Sequence, residues 1–368
     1  MLIDFPTPEN ILLNIQKCNG EQESDFLILC GEDTKLDFSA LIELLNKHEI
    51  RYCGGVFPSV IQGNKSFSDK VLLLPVQFDS DPILIHGLDD GEIHIPPLNP
   101  LTSSNSIFIL VDGLSNWISR FVYCLYTEIG SEYQVFGSGT GHGNFERHNC
   151  IFCKDGFFKD VGLVVFFKNT ITQATRHGWK TMAGPYIATK TNANILEQIN
   201  WEPAYKIYKE IIEEEENIEL TADNYYEYAQ HYPFGIYRSN RENLIRDPVA
   251  LEENQSLRFG AEIPSNSVLY LMKSEIKEML LAGQDVCQDA ISRCKQPNFL
   301  FIADCISRTW ILKDKFANEL DNIASKAEEK EIPVFGVFSM GEISSTNGAL
   351  LDYHHKTIVI SILEDNVE

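Results

Sequence analysis

Hydrophobic positions along the chain switch repeatedly between short continuous runs and stretches of helical spacing. Asp25 to Cys30 (Asp-Phe-Leu-Ile-Leu-Cys) predicts a buried strand, Phe38 to His48 a helix, and a second strand then runs into Cys53-Gly54-Gly55. The pattern returns at Ser106 to Asp112, with a helix over about Asn116 to Ile129 and a strand, Tyr133 to Phe136, entering Gly137-Ser138-Gly139-Thr140-Gly141. It returns again at Phe299 to Cys305, with a helix over about Asp314 to Glu329 and Pro333-Val334-Phe335 leading into Gly336 to Glu342. A further apolar strand follows each copy: Val71 to Phe78, Asn149 to Phe152 with Gly162 to Phe167, and Thr357 to Leu363. Alternating strands and helices predict an α/β fold with mixed sheets, made of repeated β-α-β-β units in two domains. Duplication and coincidence both account for three such copies.

Between the second and third copies the spacing changes. Ala193 to Glu215 reads as helical, broken by Pro203, and the Glu213 to Glu216 run as a solvated helix end. Pro233, Pro248 and Pro264 punctuate short strand-like segments, Phe234 to Tyr237, Ser256 to Phe259 and Val268 to Met272. A loop-rich stretch near 216–225 sets the expected boundary, giving domains 1–220 and 221–368. Glycine at the end of an inner strand permits close backbone approach, and ligands of open α/β sheets sit at the carboxyl ends of strands. The three glycine-bearing turns are therefore the first places to expect a pocket.

Composition narrows the function classes. With 44% hydrophobic and 23% charged residues the chain is globular rather than disordered. Thirty basic residues against fifty-three acidic ones give a net charge of −23, a surface that repels nucleic-acid phosphates and anionic lipid. Apolar runs such as Val161 to Phe167 fall well short of the about 20 residues that span a bilayer. The start, Met-Leu-Ile-Asp-Phe-Pro, lacks the features of a signal peptide, and nine scattered cysteines suit a reducing compartment, so a cytoplasmic location is expected.

Candidate chemistry is sparse. The Gly137 to Gly141 loop lacks the Gly-Lys-Ser/Thr ending of a phosphate cradle and reads as a tight turn at a pocket rim. Cys150 and Cys153, with His142 and His148 upstream, lack the second cysteine pair of a structural zinc site and read as thiols on a core strand. No nucleophile elbow or catalytic cysteine motif is present, so an enzyme is not expected. Asp304-Cys305-Ile306-Ser307-Arg308 stands out, because it gathers a carboxylate, a thiol and a guanidinium at the end of a buried strand. Arg308 could clamp a carboxylate while Glu342, beside Gly341 at the partner strand's end, complements an ammonium, which would suit a zwitterion such as an amino acid. Arg246 is a further neighbour. An Arg308–Glu342 ion pair tying the two turns together accounts for the same residues.

These residues carry a family likeness. The chain resembles the FIST domain proteins over nearly its whole length. In the N-terminal part the resemblance rests on Gly54-Gly55, Asp112-Gly113, Gly137 to Gly141, Asp155-Gly156, His177-Gly178-Trp179, Thr189-Lys190, Asn194, Trp201-Glu202-Pro203-Ala204 and Tyr208. In the C-terminal part it rests on Tyr232 to Ile236, Arg246-Asp247-Pro248, Cys305-x-x-Arg308, Gly336-x-x-x-x-Gly341-Glu342, and His354 ahead of Thr357. It departs at Val56-Phe57-Pro58-Ser59 and at His355-Lys356. The resemblance implies a cytoplasmic sensory module that binds a small ligand such as an amino acid. With no output domain evident in the chain, the signal would pass to a separate partner protein. Some relatives are haem proteins that sense nitric oxide and regulate a histidine kinase. For that alternative His177 and His354, both in family motifs, are the candidate axial ligands.

Overall fold

A computed structural model of the chain describes residues 1–18, 24–98, 106–239, 241–345 and 350–365. The first unit runs β1 (Leu2–Ile3), α1 (Pro8–Cys18), β2 (Asp25–Gly31), α2 (Phe38–Lys47), β3 (Tyr52–Phe57), the hairpin β4 (Val60–Gln62) and β5 (Lys65–Phe67), then β6 (Val71–Val76). The second runs β7 (Ile83–His86), β8 (Ser106–Asp112), α3 (Ile118–Ile129), β9 (Gln134–Thr140), the hairpin β10 (Ile151–Cys153) and β11 (Gly156–Phe158), then β12 (Val161–Phe167). A third opens with β13 (Thr170–Arg176) and is interrupted by an insertion. The insertion holds β14 (Lys180–Asn192), β15 (Ile195–Ile199), β16 (Glu202–Pro203), α4 (Ala204–Glu216) and α5 (Tyr225–Ala229). It closes with β17 (Phe234–Ile236), β18 (Leu244–Arg246), β19 (Pro248–Leu251), β20 (Leu257–Phe259) and β21 (Val268–Lys273). The third unit then resumes with α6 (Ile276–Arg293), β22 (Pro297–Cys305), α7 (Ile306–Leu312) and α8 (Phe316–Glu328). It ends with β23 (Val334–Ser339), the hairpin β24 (Glu342–Ser344) and β25 (Asp352–His354), and β26 (Ile358–Glu364).

Three sheets share one strand order: β1-β6-β2-β3-β10-β11, β7-β12-β8-β9-β24-β25 and β13-β26-β22-β23-β4-β5. The helix of each unit carries the chain to a parallel partner, and the fourth strand returns antiparallel on the other side. Every hairpin leaves its own sheet and completes that of another unit, so the three sheets are interlocked in a ring.

The pairing register explains the glycines. Gly54, Gly137 and Gly336 stand opposite Ile28, Ile109 and Ile302. A Cβ at these positions would lie 2.2, 2.1 and 2.3 Å from the facing isoleucine carbonyl oxygens, so only glycine lets the strands meet. Gly137 and Gly139 are thus strand residues rather than parts of a turn. Where the inner strands converge, the Gly141 N–H donates to the Val56 carbonyl, Gly139 to Gly341, Met340 to Gly139 and Phe338 to Ser59, at 2.7–3.0 Å. The rings of Phe108 and Phe136 lie 4.8 Å apart, and Phe301 of the third unit meets them at 6.2 and 6.0 Å. Burying each phenylalanine side chain contributes roughly 1.5–3 kcal/mol.

The insertion forms a fourth sheet, ordered β18-β17-β21-β14-β15-β20-β19, over its own core of Tyr208, Tyr225, Phe234 and Phe259. Two expectations are corrected here. Ile195–Ile199, read from spacing as helical, is a strand, because a hairpin at Ala193 (φ +51°) returns it along β14 and tertiary pairing overrides local preference. The helix expected over Asp314 to Glu329 is preceded by α7, which starts directly from the end of β22. Among the described residues no helix is long and apolar enough to cross a membrane.

Candidate functional site

Where the inserted sheet meets the carboxyl ends of β8 and β22, the fold leaves a cavity of about 580 Å³. One wall comes from the three-sheet body: the turn Gly113 to Asn116, Cys305 to Ser307, Trp310 on α7, Met340 after β23, and Tyr353 and His355 on the last hairpin. The opposite wall belongs to the insertion: Asn194, Tyr226 on α5, Asp247, Val249, and Arg258 to Gly260. Phe145 stacks edge-on against Trp310 at 5.4 Å and is half exposed, forming the rim.

Inside, the polar groups are few. Lys356, 1% exposed, holds Asp247 Oδ2 at 3.0 Å, while Asp247 Oδ1 is buried with no hydrogen-bond partner among the described residues. Burial pushes the Asp247 carboxyl up, and the Lys356 ammonium opposes that shift. Asp247 lines the cavity, and a buried carboxylate oxygen without a donor is a strong acceptor. Arg258 adds a guanidinium, paired with Glu252 at 2.6 Å. The His355 ring packs edge-on to Tyr353 at 5.1 Å, over Gly260, where a Cβ would lie 2.7 Å from its Cε1.

The residues singled out from sequence fall into place unevenly. Arg308, Asp304, Cys305, Glu342 and Gly341 do gather at one strand end, but of these only Cys305 lines the cavity. Arg308 is fully buried, and protein groups surround its guanidinium. It donates to Glu319 through Nε and Nη2, at 3.3 and 2.5 Å, and to the carbonyls of His177, Met279 and Lys356 at 2.8, 3.1 and 3.3 Å. Its ion-pair partners are Glu319 and, at 3.5 Å, Asp304, rather than Glu342. Burial works against the Arg308 charge, but the Glu319 carboxylate outweighs it and the guanidinium pKa is raised. Glu342 accepts from Ser339 Oγ at 3.0 Å, and burial drives its carboxyl well above the usual range. Burial, reinforced by Glu319, does the same to Asp304. One guanidinium thus faces three buried carboxyls. Gly341 takes φ +126°, and a Cβ there would meet the Tyr353 hydroxyl at 2.3 Å, the hydroxyl that donates to the Met340 carbonyl. Arg246 stands apart, fully buried and donating to the carbonyls of Glu262, Ile245 and Tyr353 at 3.0 Å each; desolvation lowers it to about 10. It ties the insertion to the last hairpin. Cys150 immediately precedes β10 and Cys153 ends it, and both are buried in the core.

His177 and His354 line a second, smaller cavity of about 250 Å³, together with four arginines. The His177 Nδ1 accepts the Trp179 N–H at 2.8 Å, and His354 Nε2 meets Ser344 Oγ at 2.9 Å. Burial lowers both rings, to about 3 and about 4. A haem needs an open apolar slot beside its axial ligand. A small cavity lined by guanidinium groups does not fit it.

Asp247, Tyr226, Trp310, His355 and Lys356 had not been singled out as a site from sequence. Asp247 and His355 sit next to residues that had been noted, Arg246 and His354, and only the folded register shows which neighbour faces the cavity. Glu319 carried a signal that could have been read. It lies on the face of α8 that buries Leu320, Ile323 and Ala327, where a carboxylate requires a partner.

Fold and cavity together define an α/β protein of interlocked mixed sheets with a ligand-sized chamber closed by an inserted sheet. Family comparison agrees: the FIST N domain model matches residues 25–202 and the FIST C domain model residues 204–345, and the chain belongs to the FIST family. FIST domains are sensory domains of signal transduction. No curated protein matches the chain.

Proposed function

We propose that the chain is a sensory protein whose small-molecule ligand occupies the 580 Å³ cavity, and that the ligand is an ammonium-bearing metabolite such as an amino acid. The observation that carries this reading is the buried Asp247 Oδ1, without a hydrogen-bond partner among the described residues, in a cavity that also presents the rings of Phe145, Tyr226, Trp310 and Tyr353. An ammonium would supply the missing donor, Arg258 a partner for a carboxylate, and the rings an apolar surface. Binding rather than catalysis suits the neighbouring Cys305, because burial keeps its thiol protonated instead of nucleophilic.

A ligand touching both walls stabilises one arrangement of insertion and body over others, which is the requirement for a signal. The changed surface is then read by a partner protein in the cytoplasm, a histidine kinase being the first to test. A thermal-shift series over the common amino acids tests the reading, since ligand at 100 times its Kd adds about 2.7 kcal/mol. A stabilising amino acid whose effect is lost in Asp247→Asn is expected. No shift with any of them, or chemical turnover of the bound one, would overturn it.

A further inference from the structure

The smaller cavity gathers four of the chain's ten arginines, Arg176, Arg238, Arg241 and Arg293, in a protein whose net charge is −23. Chance does not favour that concentration, and the local pairing leaves it unbalanced. Asp352 serves both Arg238, at 2.9 Å, and Arg241, at 3.9 Å. Asp289 likewise serves Arg176 and Arg293, at 3.3 and 3.2 Å. Among the described residues, Asp352 and Asp289 are each shared by two of the four guanidinium groups. The remaining acid, Glu242, accepts the His177 backbone N–H at 3.1 Å, and burial raises its carboxyl pKa.

Two buried polar atoms in this lining have no hydrogen-bond partner among the described residues: Arg238 Nε and His177 Nε2, the latter 3.6 Å from the Glu242 carboxylate and beyond hydrogen-bonding reach. The arginine side chains nevertheless remain 31 to 40% exposed, so a solute can reach them. At 250 Å³ the cavity is smaller than the about 300–1,000 Å³ of drug-sized sites and suits a compact ligand. Planar guanidinium forks match the paired oxygens of phosphates and carboxylates.

We propose that this cavity is an anion-binding site for a compact oxyanion, a phosphate or a small carboxylate. It is separate from the larger cavity. Along Asp352-Tyr353-His354-His355 alternate side chains serve the two, Tyr353 and His355 the larger one, Asp352 and His354 this one.

Titration of the full chain with inorganic phosphate and with malonate, against sodium chloride at matched ionic strength, tests the site by calorimetry and thermal shift. Phosphate, malonate or both should bind and stabilise where chloride does not. Response to phosphate alone assigns a tetrahedral oxyanion, and response to malonate alone a dicarboxylate. Arg241→Gln removes a group whose ion pair among the described residues is a loose 3.9 Å contact, and should weaken binding at least tenfold while leaving the melting temperature without anion little changed. Arg176→Gln is the second variant, should the first unfold. Equal effects of chloride and the oxyanions, or unaltered oxyanion affinity in a folded variant, would overturn the proposal.

Discussion

Replacing Arg308 by methionine would remove the one guanidinium from a closed, solvent-free cluster while keeping most of its volume. The side chain now holds both oxygens of Glu319 and three backbone carbonyls. Without it the Glu319 carboxylate is buried and unpaired, with Asp304 and Glu342 close by. Breaking a buried ion pair from one side costs about 3–5 kcal/mol, and each abandoned carbonyl adds about 1 kcal/mol where water cannot enter. Removing both charges is a different matter, because a buried pair exchanged for apolar residues is often neutral. Arg308→Met should therefore lose at least about 3 kcal/mol, and Arg308→Met/Glu319→Leu should recover more than half of that. Urea denaturation, with the same titration run on Glu319→Leu to close the cycle, reads the coupling. A ligand-gripping arginine would behave otherwise: the single variant would keep its stability and lose its ligand response. A loss under about 1 kcal/mol, or a double variant as unstable as the sum of the singles, would refute the structural role given to Arg308.

Gly336→Ala should cost about 1–3 kcal/mol or more, from overpacking against the Ile302 carbonyl at 2.3 Å, measurable as a lowered urea midpoint. Two buried histidines should contribute a destabilisation on acidification below pH 6.5. His177 and His354 stay neutral in the folded chain down to about 3 and about 4 but protonate near 6.5 when unfolded, so each loses up to about 3 kcal/mol by pH 4.5. Asp304 and Glu342 have raised folded values and act in the opposite sense, their contribution fading as pH rises above about 4. His177→Gln should flatten the acid limb of a stability–pH curve by about one proton. Protein expressed with a haem precursor should show no Soret band that depends on His177 or His354.

Much of the fold was legible because local signals and tertiary structure agreed there. The strands Asp25 to Gly31, Ser106 to Asp112 and Pro297 to Cys305 are buried on both faces and therefore read as continuous apolar runs. The glycines at 54, 137 and 336 were visible, but their reason was not, since it lies in a register with Ile28, Ile109 and Ile302 that no local pattern encodes. The hairpin exchange was equally hidden, because β4, β10 and β24 pair with strands of other units. β14, thirteen residues long, was missed: its inner positions mix exposed and half-buried residues and give no clean alternation. At the site, sequence proximity grouped Arg308 with Asp304 and Glu342, and the structure does cluster them. The deciding partner, Glu319, arrives from a helix that nearness to the motif could not point to. Asp247 gains its meaning only when the insertion folds back over the body.

The central claim, that the large cavity is where a ligand binds, is tested most directly by fluorine NMR on the protein labelled with fluorotryptophan. Of the four tryptophans, only Trp310 lines that cavity, and Trp310→Phe assigns its resonance. Added amino acid is predicted to shift the Trp310 signal selectively, with Trp117, Trp179 and Trp201 little changed, and to leave Asp247→Asn unaffected. A bound amino acid that stabilises the protein while the Trp310 resonance stays where it was would contradict the account.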